Sequence, residues 1–252
     1  MSAVVLEAAA MTNVGLVRRL NQDIYASNAA LGLFVVCDGM GGPAGGEVAS
    51  LLTADTFVSI FQQEIGAVPG HGAMTTKLAM ERAAAAANRA VCARAAYDTR
   101  YRGMGTTLVA ARVSGNELTI LNVGDSRAYL LQSGELRQVS VDHSYLKEQV
   151  ELGLITAEQA KVSPLQSVIT RAIGAEPDVH PDVFHEVLTP GDVVILCSDG
   201  LTRHVSDSVI ASTLQQAPSA TSACEQLIAL ACEDGGSDNI TCFVIRVAEA
   251  AA

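Results

Sequence analysis

Four aspartates at the edges of apolar runs constrain this chain more than any other feature of its sequence. The runs LFVVC, LTILNVG and VVILCS each end at an aspartate, and the run ITCFVIRV begins two residues after one. Short runs that are rich in Val, Ile and Leu and bounded by Gly or Asp are typical of buried strands. The pattern therefore predicts four carboxylates at the rim of a sheet, namely Asp38, Asp125, Asp199 and Asp238.

A single aspartate at a strand end is ordinary, and Asp125 alone would be interpreted as part of a hairpin turn. Four of them from distant parts of the chain indicate one acidic cluster. Close carboxylates raise one another's pKa and repel unless a cation lies between them. A hard divalent cation with oxygen ligands, Mg²⁺ or Mn²⁺, is the natural occupant of such a cluster.

Composition and charge narrow the class of protein. The chain has 252 residues and a formal net charge of −11, so it lacks the basic footprint that a nucleic-acid partner requires. The length fits one domain or two small ones, and no linker long enough to demand two is present. Six cysteines without C-x-x-C or zinc-site spacing are expected to be small core residues in a reducing compartment.

Nothing in the sequence predicts a membrane segment. The N-terminal MSAVVLEAAAM has no basic residues of the kind that begin a signal peptide, and Glu7 interrupts its apolar stretch. The apolar runs are far shorter than the ~20 residues that cross a bilayer. We therefore expect a cytoplasmic protein.

The hydrophobic pattern predicts both helices and hairpin-connected strands. Helices are expected over 47–64, 74–96 and 217–232. Strands are expected over 3–11, 24–37, 105–113, 117–123, 126–132, 182–188, 192–198 and 241–247. The short turns within 105–132 favour an antiparallel meander. The fold class is therefore α+β with antiparallel sheets.

A glycine-rich loop, DGMGGPAGGE, begins at the first of the four aspartates. It lacks the Gly-Lys-Ser/Thr of a P-loop and the spacing of a Rossmann fingerprint, and a plain tight turn is the simpler alternative. We favour the interpretation that Asp38 ligates metal and that the glycines free the Gly39 carbonyl to join it. Arg18 and Arg19, in an otherwise polar loop, are candidates for binding a substrate phosphate, although exposed arginines are common and the pair alone is a weak signal. Because no Ser-His-Asp or Cys-His arrangement can be placed, a metal-bound water is the available nucleophile.

Seven short motifs follow one another in a specific order along nearly the whole chain. They are Arg18-x-x-Asn21-Gln22-Asp23, Asp38-Gly39-Met40-Gly41-Gly42, Gly105-Thr106-Thr107, Val123-Gly124-Asp125-Ser126-Arg127, Asp142-His143-Ser144, Ser198-Asp199-Gly200-Leu201 and Ser237-Asp238-Asn239-Ile240-Thr241. This ordered set closely resembles the metal-dependent protein phosphatases, the PPM or type 2C family. The length, without a regulatory domain, is similar to that of the bacterial branch.

The resemblance implies a four-layer α-β-β-α sandwich, in which two antiparallel sheets are flanked by helices. It implies one catalytic domain over residues 1–252 and a mobile flap at about 142–172. Two Mn²⁺ or Mg²⁺ ions would lie at one end, between the sheets. Asp38 would bridge them, the Gly39 carbonyl would complete one, and Asp199 and Asp238 would hold the other.

The resemblance also assigns roles outside the pair of ions. Asp125, with help from Asp199, matches the position that holds a weaker third metal in bacterial members, and Arg18 matches the phosphate-binding arginine. Two residues depart from the family pattern. Gln22 stands where an acidic residue often contacts metal-bound water, and Met40 stands where many eukaryotic members carry a histidine proposed as general acid.

The function that the resemblance implies is a metal-dependent protein serine/threonine phosphatase, in which a metal-activated hydroxide attacks phosphoserine or phosphothreonine. Its partners would be phosphorylated proteins and a Ser/Thr protein kinase that it opposes, and we expect a monomer. Two alternatives stay open. One is a regulatory pseudophosphatase that binds phosphoproteins without turnover, which Gln22 alone favours, and the other is a hydrolase of small-molecule phosphoesters.

Overall fold

Two apolar strands, β3 (Leu33–Met40) and β10 (Val193–Cys197), lie inside two packed sheets and are covered on both faces. The structure, a computed structural model, describes residues 4–67 and 72–249. Along β3, Leu33, Val35 and Cys37 pack into one hydrophobic cluster, whereas Phe34 and Val36 pack into another. Because successive side chains of a strand point to opposite faces, a strand covered on both sides has a continuous apolar sequence.

The described residues form eleven strands and seven α-helices. The other strands are β1 (Val4–Asn13), β2 (Asp23–Asn28), β4 (Gly105–Thr106), β5 (Leu108–Ser114), β6 (Glu117–Val123), β7 (Arg127–Gln132), β8 (Glu135–Gln138), β9 (Asp182–Val187) and β11 (Ile240–Glu249). The helices are α1 (Gly42–Ala67), α2 (Ala73–Tyr97), α3 (Tyr145–Glu151), α4 (Ala157–Lys161), α5 (Asp199–Thr202), α6 (Asp207–Gln216) and α7 (Ala220–Glu233).

The strands form two antiparallel sheets. The first sheet has the order β1-β11-β10-β7-β8, and the second has the order β2-β3-β5-β6-β9 with β4 paired to β3. In the second sheet Asp23 lies directly opposite Asp38. This register places two carboxylates side by side at the end of the β2–β3 pair.

Three hydrophobic clusters separate four layers. The cluster between the sheets includes Phe34 and Phe243, whose rings meet edge to face with centroids 5.0 Å apart. A second cluster packs Phe57 and Phe61 of α1 and residues of α2 onto the second sheet. A third packs α5, α6 and α7 onto the first sheet. The predicted α+β class and the α-β-β-α sandwich are therefore confirmed.

The predicted meander over 105–132 is wrong, because the chain changes sheets within it. β5 and β6 pair as a hairpin, but β6 belongs to the second sheet and β7 to the first. Gly124 makes this corner with a φ of +106°, and a Cβ there would lie 2.6 Å from Thr107 Cγ2. A Gly-Asp turn signal is the same for a hairpin and for a corner between sheets, so the sequence does not distinguish them.

Other predicted elements differ from the structure in their bounds. The single strand expected over 24–37 is the β2–β3 hairpin, joined by a 3₁₀ turn that the Asn28 side chain caps by accepting from the Leu31 N–H at 3.3 Å. The final helix begins at Ala220 rather than 217, and the sequence analysis missed α6 and β8.

The segment 142–172 contains α3 and α4, and an isolated antiparallel bridge between Ser144 and Ile169 pairs its beginning with its end. Next to it, Ile173 forms a bridge with Thr106. Within residues 4–67 and 72–249, no helix combines the length and apolar character needed to cross a bilayer.

Candidate active site

The backbone of Asp38 is fixed by two neighbouring threonines. Its N–H donates to Thr107 Oγ1 at 2.9 Å, and its carbonyl accepts from the Thr107 N–H at 2.9 Å and from Thr106 Oγ1 at 2.8 Å. Because Thr107 follows β4 and Asp38 lies in β3, the pairing of these strands sets where the carboxylate points. The Asp38 side chain is thereby held at the rim of the second sheet.

Gly39 allows α1 to begin directly beside this rim. A Cβ at Gly39 would lie 2.1 Å from the carbonyl oxygen of Gly46 and 2.7 Å from that of Gln22. The Gly39 N–H donates to the Gln22 carbonyl at 3.2 Å. A larger residue would separate β3, the Gln22 loop and α1, so glycine here has a packing reason as well as any role of its carbonyl.

Asp199 and Asp238 approach from the first sheet. Asp199 follows β10 at the start of α5, and Asp238 stands just before β11. Ser198 and Thr241 tie these two ends together, because the Ser198 N–H donates to the Thr241 carbonyl and the Thr241 N–H donates to Ser198 Oγ, each at 3.0 Å. The two carboxylates therefore enter the site from adjacent strands.

One open cavity of about 830 Å³ lies over the ends of both sheets. Its lining includes every residue that the sequence analysis assigned to the site, together with both departures from the family pattern: Arg18, Gln22, Asp38, Gly39, Met40, Asp125, Asp199 and Asp238. Residues from distant parts of the sequence thus meet in one place.

The acidic residues raise one another's pKa. Burial raises the pKa of Asp38 well above its ordinary value, and the charges of Asp23, Asp199, Asp125 and Asp238 raise it further. Burial, with the charge of Asp199, also raises the pKa of Asp125 to about 7 and that of Asp23 to about 6, although hydrogen bonds to Asp23 oppose its rise. Such a cluster favours bound protons or bound cations.

Two arginines pair with two of these carboxylates. Arg18 Nη2 donates to Asp238 Oδ2 at 2.8 Å. Arg203 donates to Asp199 Oδ2 through Nε at 2.8 Å and through Nη2. The other Asp199 oxygen, Oδ1, is buried and has no hydrogen-bond partner among the described residues.

The donor set fits a hard divalent cation, although the side chains do not form a closed metal cage. Within the described ranges, no three Asp, Glu, His or Cys side chains are grouped so that they could hold an ion. The arginine pairs account for this in part, because they turn Asp199 and Asp238 toward guanidinium groups. The candidates are oxygen donors, and the unpartnered Asp199 Oδ1 lacks the hydrogen bond that a buried polar atom requires.

Asn239 lines the cavity, and the sequence analysis recorded it only as part of a motif. Its Oδ1 accepts from the Gln22 N–H at 2.8 Å, while its Nδ2 donates to the carbonyls of Leu20 at 2.9 Å and Val14 at 3.0 Å. The loop that carries Arg18 is thereby fixed to the start of β11. Asn supplies both donors and an acceptor, which neither Asp nor Leu can do.

His143 fixes the turn that carries Asp125. Its Nδ1 accepts from the Gly124 N–H at 3.1 Å, its own N–H donates to the Gly124 carbonyl at 3.0 Å, and its Nε2 faces Asp182 Oδ2 at 3.1 Å. Burial lowers the pKa of His143, which favours the neutral ring that can accept at Nδ1. No sequence spacing linked His143 to Gly124, because their contact is purely tertiary.

Comparison with known proteins places this geometry among protein phosphatases. The family model described as protein phosphatase 2C matches residues 17–243. The serine/threonine protein phosphatase PstP of Mycobacterium tuberculosis is 39% identical over 246 residues, which cover 97% of this chain and 46% of PstP. The chain therefore spans about half the length of that relative.

Two further matches extend over whole chains. The protein phosphatase PhpP of Streptococcus pneumoniae is 32% identical over 249 residues, covering 97% of this chain and 98% of PhpP. A crystal structure of the catalytic domain of PstP in complex with two manganese ions superposes with a TM-score of 0.85 and 36% identity. That match covers 98% of this chain and 100% of the other.

Proposed function

The chain belongs to the protein phosphatase 2C family, and we propose that it is a metal-dependent protein serine/threonine phosphatase that hydrolyses phosphoserine and phosphothreonine. One observation carries the proposal: Asp38, Asp199 and Asp238 meet Arg18 in a single open cavity. An acidic cluster that can hold cations, beside an arginine that can hold a phosphoryl group, is the arrangement that phosphoester hydrolysis requires.

We propose that Mn²⁺ or Mg²⁺ binds at the carboxylates of Asp38, Asp199 and Asp238 and at the carbonyl of Gly39. The family resemblance and the manganese-bound PstP structure support two ions. When bound, such ions would activate water and neutralise charge on the transferring phosphoryl group. The chain itself contributes the fixed positions of the ligands, because Asp38 is held by β4 and the other two by adjacent strands.

Arg18 is the proposed phosphate-binding residue. Its side chain is 55% exposed and its guanidinium pairs with Asp238, so it lies at the open side of the cavity. A guanidinium can bind two phosphoryl oxygens at once, which orients the group relative to the carboxylates. When substrate binds, we expect the Arg18 guanidinium to leave Asp238 and to pair with the phosphate instead.

Two further residues border the reacting group. Met40 lines the cavity with a thioether, which carries no proton to give to a leaving group. Gln22 lines it too, but its Nε2 donates to the Gly42 carbonyl at 2.9 Å. We propose that the Gln22 side chain fixes the start of α1 beside Gly39. Its side-chain amide oxygen, Oε1, is then the group that can face the cavity.

The substrate chemistry implies a partner of defined class. Phosphoserine and phosphothreonine in proteins are products of protein kinases, so a Ser/Thr kinase must supply the substrate. We also propose that the chain acts as a monomer.

Release of inorganic phosphate from a phosphothreonine peptide tests this function. We expect turnover with Mn²⁺, loss of turnover in excess EDTA, and recovery when Mn²⁺ is added back. A parallel panel of small-molecule phosphate monoesters should be hydrolysed at a much lower kcat/KM.

The alternatives give different results in the same experiment. Faster turnover of one small-molecule phosphate than of any phosphopeptide would indicate a metabolite phosphatase. Tight phosphopeptide binding without turnover at saturating Mn²⁺ would indicate a pseudophosphatase. Full activity in chelator would exclude the proposed metal chemistry.

A further inference from the structure

Arg203 is a charged residue of the cavity lining that pairs with Asp199, one of the proposed metal ligands. It stands four residues after Asp199, so the turn of α5 brings the two side chains to the same face, and the Arg203 N–H donates to the Asp199 carbonyl at 2.9 Å. Its guanidinium lines the cavity that contains Asp38. It also lines a second cavity of about 600 Å³ on the side of α3 and α4. Arg203 therefore stands between the acidic cluster and the segment 142–172.

The contacts of Arg203 fix its charge beside two acids. Nε and Nη2 both donate to Asp199 Oδ2, and Nη2 also donates to Ser167 Oγ at 3.1 Å. The Arg203 side chain is 26% exposed and that of Asp199 15%, so water screens this pair less than an exposed ion pair. Asp125 shares both cavity walls with Arg203 and Asp199.

Asp125 and Asp199 are also the pair to which the family resemblance assigns a weaker third metal ion. A divalent cation there would have to share Asp199 with a guanidinium that is already hydrogen-bonded to it. Two cations that compete for one carboxylate repel each other strongly at short range. An arginine, unlike a bound ion, is always charged and cannot dissociate from the chain.

We propose that the guanidinium of Arg203 supplies the positive charge beside Asp199 and Asp125 in place of a third metal ion, so that this chain binds two divalent ions. The inference rests on the proposed function, because it concerns the same metal centre. Arg203 is thus a positioning residue: it neutralises Asp199 Oδ2, leaves Asp199 Oδ1 for an ion, and links the acidic cluster to Ser167.

Calorimetric titration of Mn²⁺ into metal-stripped protein tests the proposal by counting bound ions, without any measurement of activity. We expect two ions per wild-type chain and a third, weaker binding event in Arg203→Gln, which keeps a polar side chain but loses the charge. Arg203→Lys should stay at two ions, because it keeps the charge. Arg82→Gln, which removes an exposed arginine paired with Glu64 away from the cavity, is the matched control and should also stay at two.

Two variants of Asp125 make the test independent of the folding of any single variant. Asp125→Asn in the wild-type background should leave the count at two, because neither of the two proposed ions has Asp125 as a ligand. The double variant Arg203→Gln/Asp125→Asn should return from three ions to two. Three ions bound by the wild type, two bound by folded Arg203→Gln, or one ion lost in Asp125→Asn would each overturn the proposal.

The two proposals fail in different ways. If the ion counts are as expected and no phosphopeptide is hydrolysed, the proposed function is wrong and the role of Arg203 stands. If phosphopeptide is hydrolysed and Arg203→Gln does not change the count, only the inference about Arg203 is wrong.

Discussion

At the scale of single residues, the candidate site is made of carboxylates whose positions are set by the backbone. Asp38 is fixed through Thr106 and Thr107 rather than through its own carboxylate. Removal of its carboxylate should therefore change the chemistry of the cavity more than it changes the fold. Because the backbone sets the position of Asp38, a substitution of its side chain tests the role of the carboxylate with little effect on the fold.

Asp38→Ala should lower phosphopeptide turnover by at least ~10³-fold, the scale expected when a metal ligand is lost. The melting temperature without metal should be unchanged or higher, because one of several mutually repelling carboxylates is gone. Turnover assays and thermal melts of the same preparations measure both effects.

Asp98→Ala is the control, because Asp98 is an acid outside the cavity that pairs with Arg100, and it should retain full turnover. If Asp38→Ala unfolds while its folded fraction keeps Mn²⁺-dependent turnover, Asp38 has a structural role instead.

Gln22→Glu should lower the Mn²⁺ concentration for half-maximal activity about fivefold, which corresponds to ~1 kcal/mol of added attraction for a solvated charge near the metals. The gain is limited because the variant loses the hydrogen bond from Nε2 to the Gly42 carbonyl. Gln62→Glu places the same charge on α1 away from the cavity and should leave the Mn²⁺ requirement unchanged. An unchanged requirement in Gln22→Glu would show that position 22 lies outside the influence of the metals.

At the scale of elements, the site is assembled from strand ends and from one loop that needs external support. The loop between β1 and β2 carries Arg18 and lies on the rim of the cavity. Asn239 supports it with three hydrogen bonds to Gln22, Leu20 and Val14. The position of Arg18, the proposed phosphate-binding residue, thus depends on a side chain from the far end of the sequence.

Asn239→Asp should lower kcat/KM about 10–100-fold, because two backbone carbonyls lose their donor and each unsatisfied group costs about 1–3 kcal/mol. Hydrogen–deuterium exchange should become faster in residues 14–22. Asn28→Asp makes the same chemical change at a turn cap, where Asp serves as well as Asn, and should alter neither quantity. Unchanged exchange in residues 14–22 would show that the loop is held by other contacts.

The sequence predicted those elements whose patterns are local. Apolar runs such as 33–37 and 193–197 identified the central strands, and the aspartates beside them identified the floor of the cavity. The corner at Gly124 was missed because its turn signal matches that of a hairpin. His143 was missed as a site residue because its partner, the Gly124 backbone, is defined only by tertiary packing. Arg203 was missed although its four-residue spacing from Asp199 is a local signal for a paired side chain.

At the scale of the whole molecule, the acidic cluster should make the stability of the metal-free protein depend on pH. The native pKa of Asp23 is raised to about 6 and that of Asp125 to about 7, and that of Asp38 also lies well above its ordinary value. Between these values and the unfolded pKa near 3.8, the native state binds more protons than the unfolded state. The stability from these groups is present at low pH and is lost as pH rises through 6 to 7.

The melting temperature of metal-free protein should therefore rise by several degrees from pH 8 to pH 5, since one pKa unit is about 1.4 kcal/mol and each kcal/mol moves the melting temperature by about 2–4 °C. His143 lowers the stability of the native state below pH 6.5, because its native pKa is lowered and the unfolded state binds its proton more readily. The three acids with raised pKa outweigh this single group. Saturating Mn²⁺ at pH 8 should remove most of the difference. Differential scanning calorimetry with and without Mn²⁺ measures these melting temperatures. A melting temperature of the metal-free protein that falls from pH 8 to pH 5 would contradict the raised pKa values of the acidic cluster.

The floor of the cavity belongs to both sheets, whereas its rim belongs to the β1–β2 loop and the segment 142–172. Floor residues are tied to the densely packed interior, so insertions there would disturb the whole sandwich. Rim segments run over the surface, where changes of length are tolerated. We therefore expect exchange of rim segments to change which of the proposed phosphoprotein substrates fits against the cavity, while the floor stays the same.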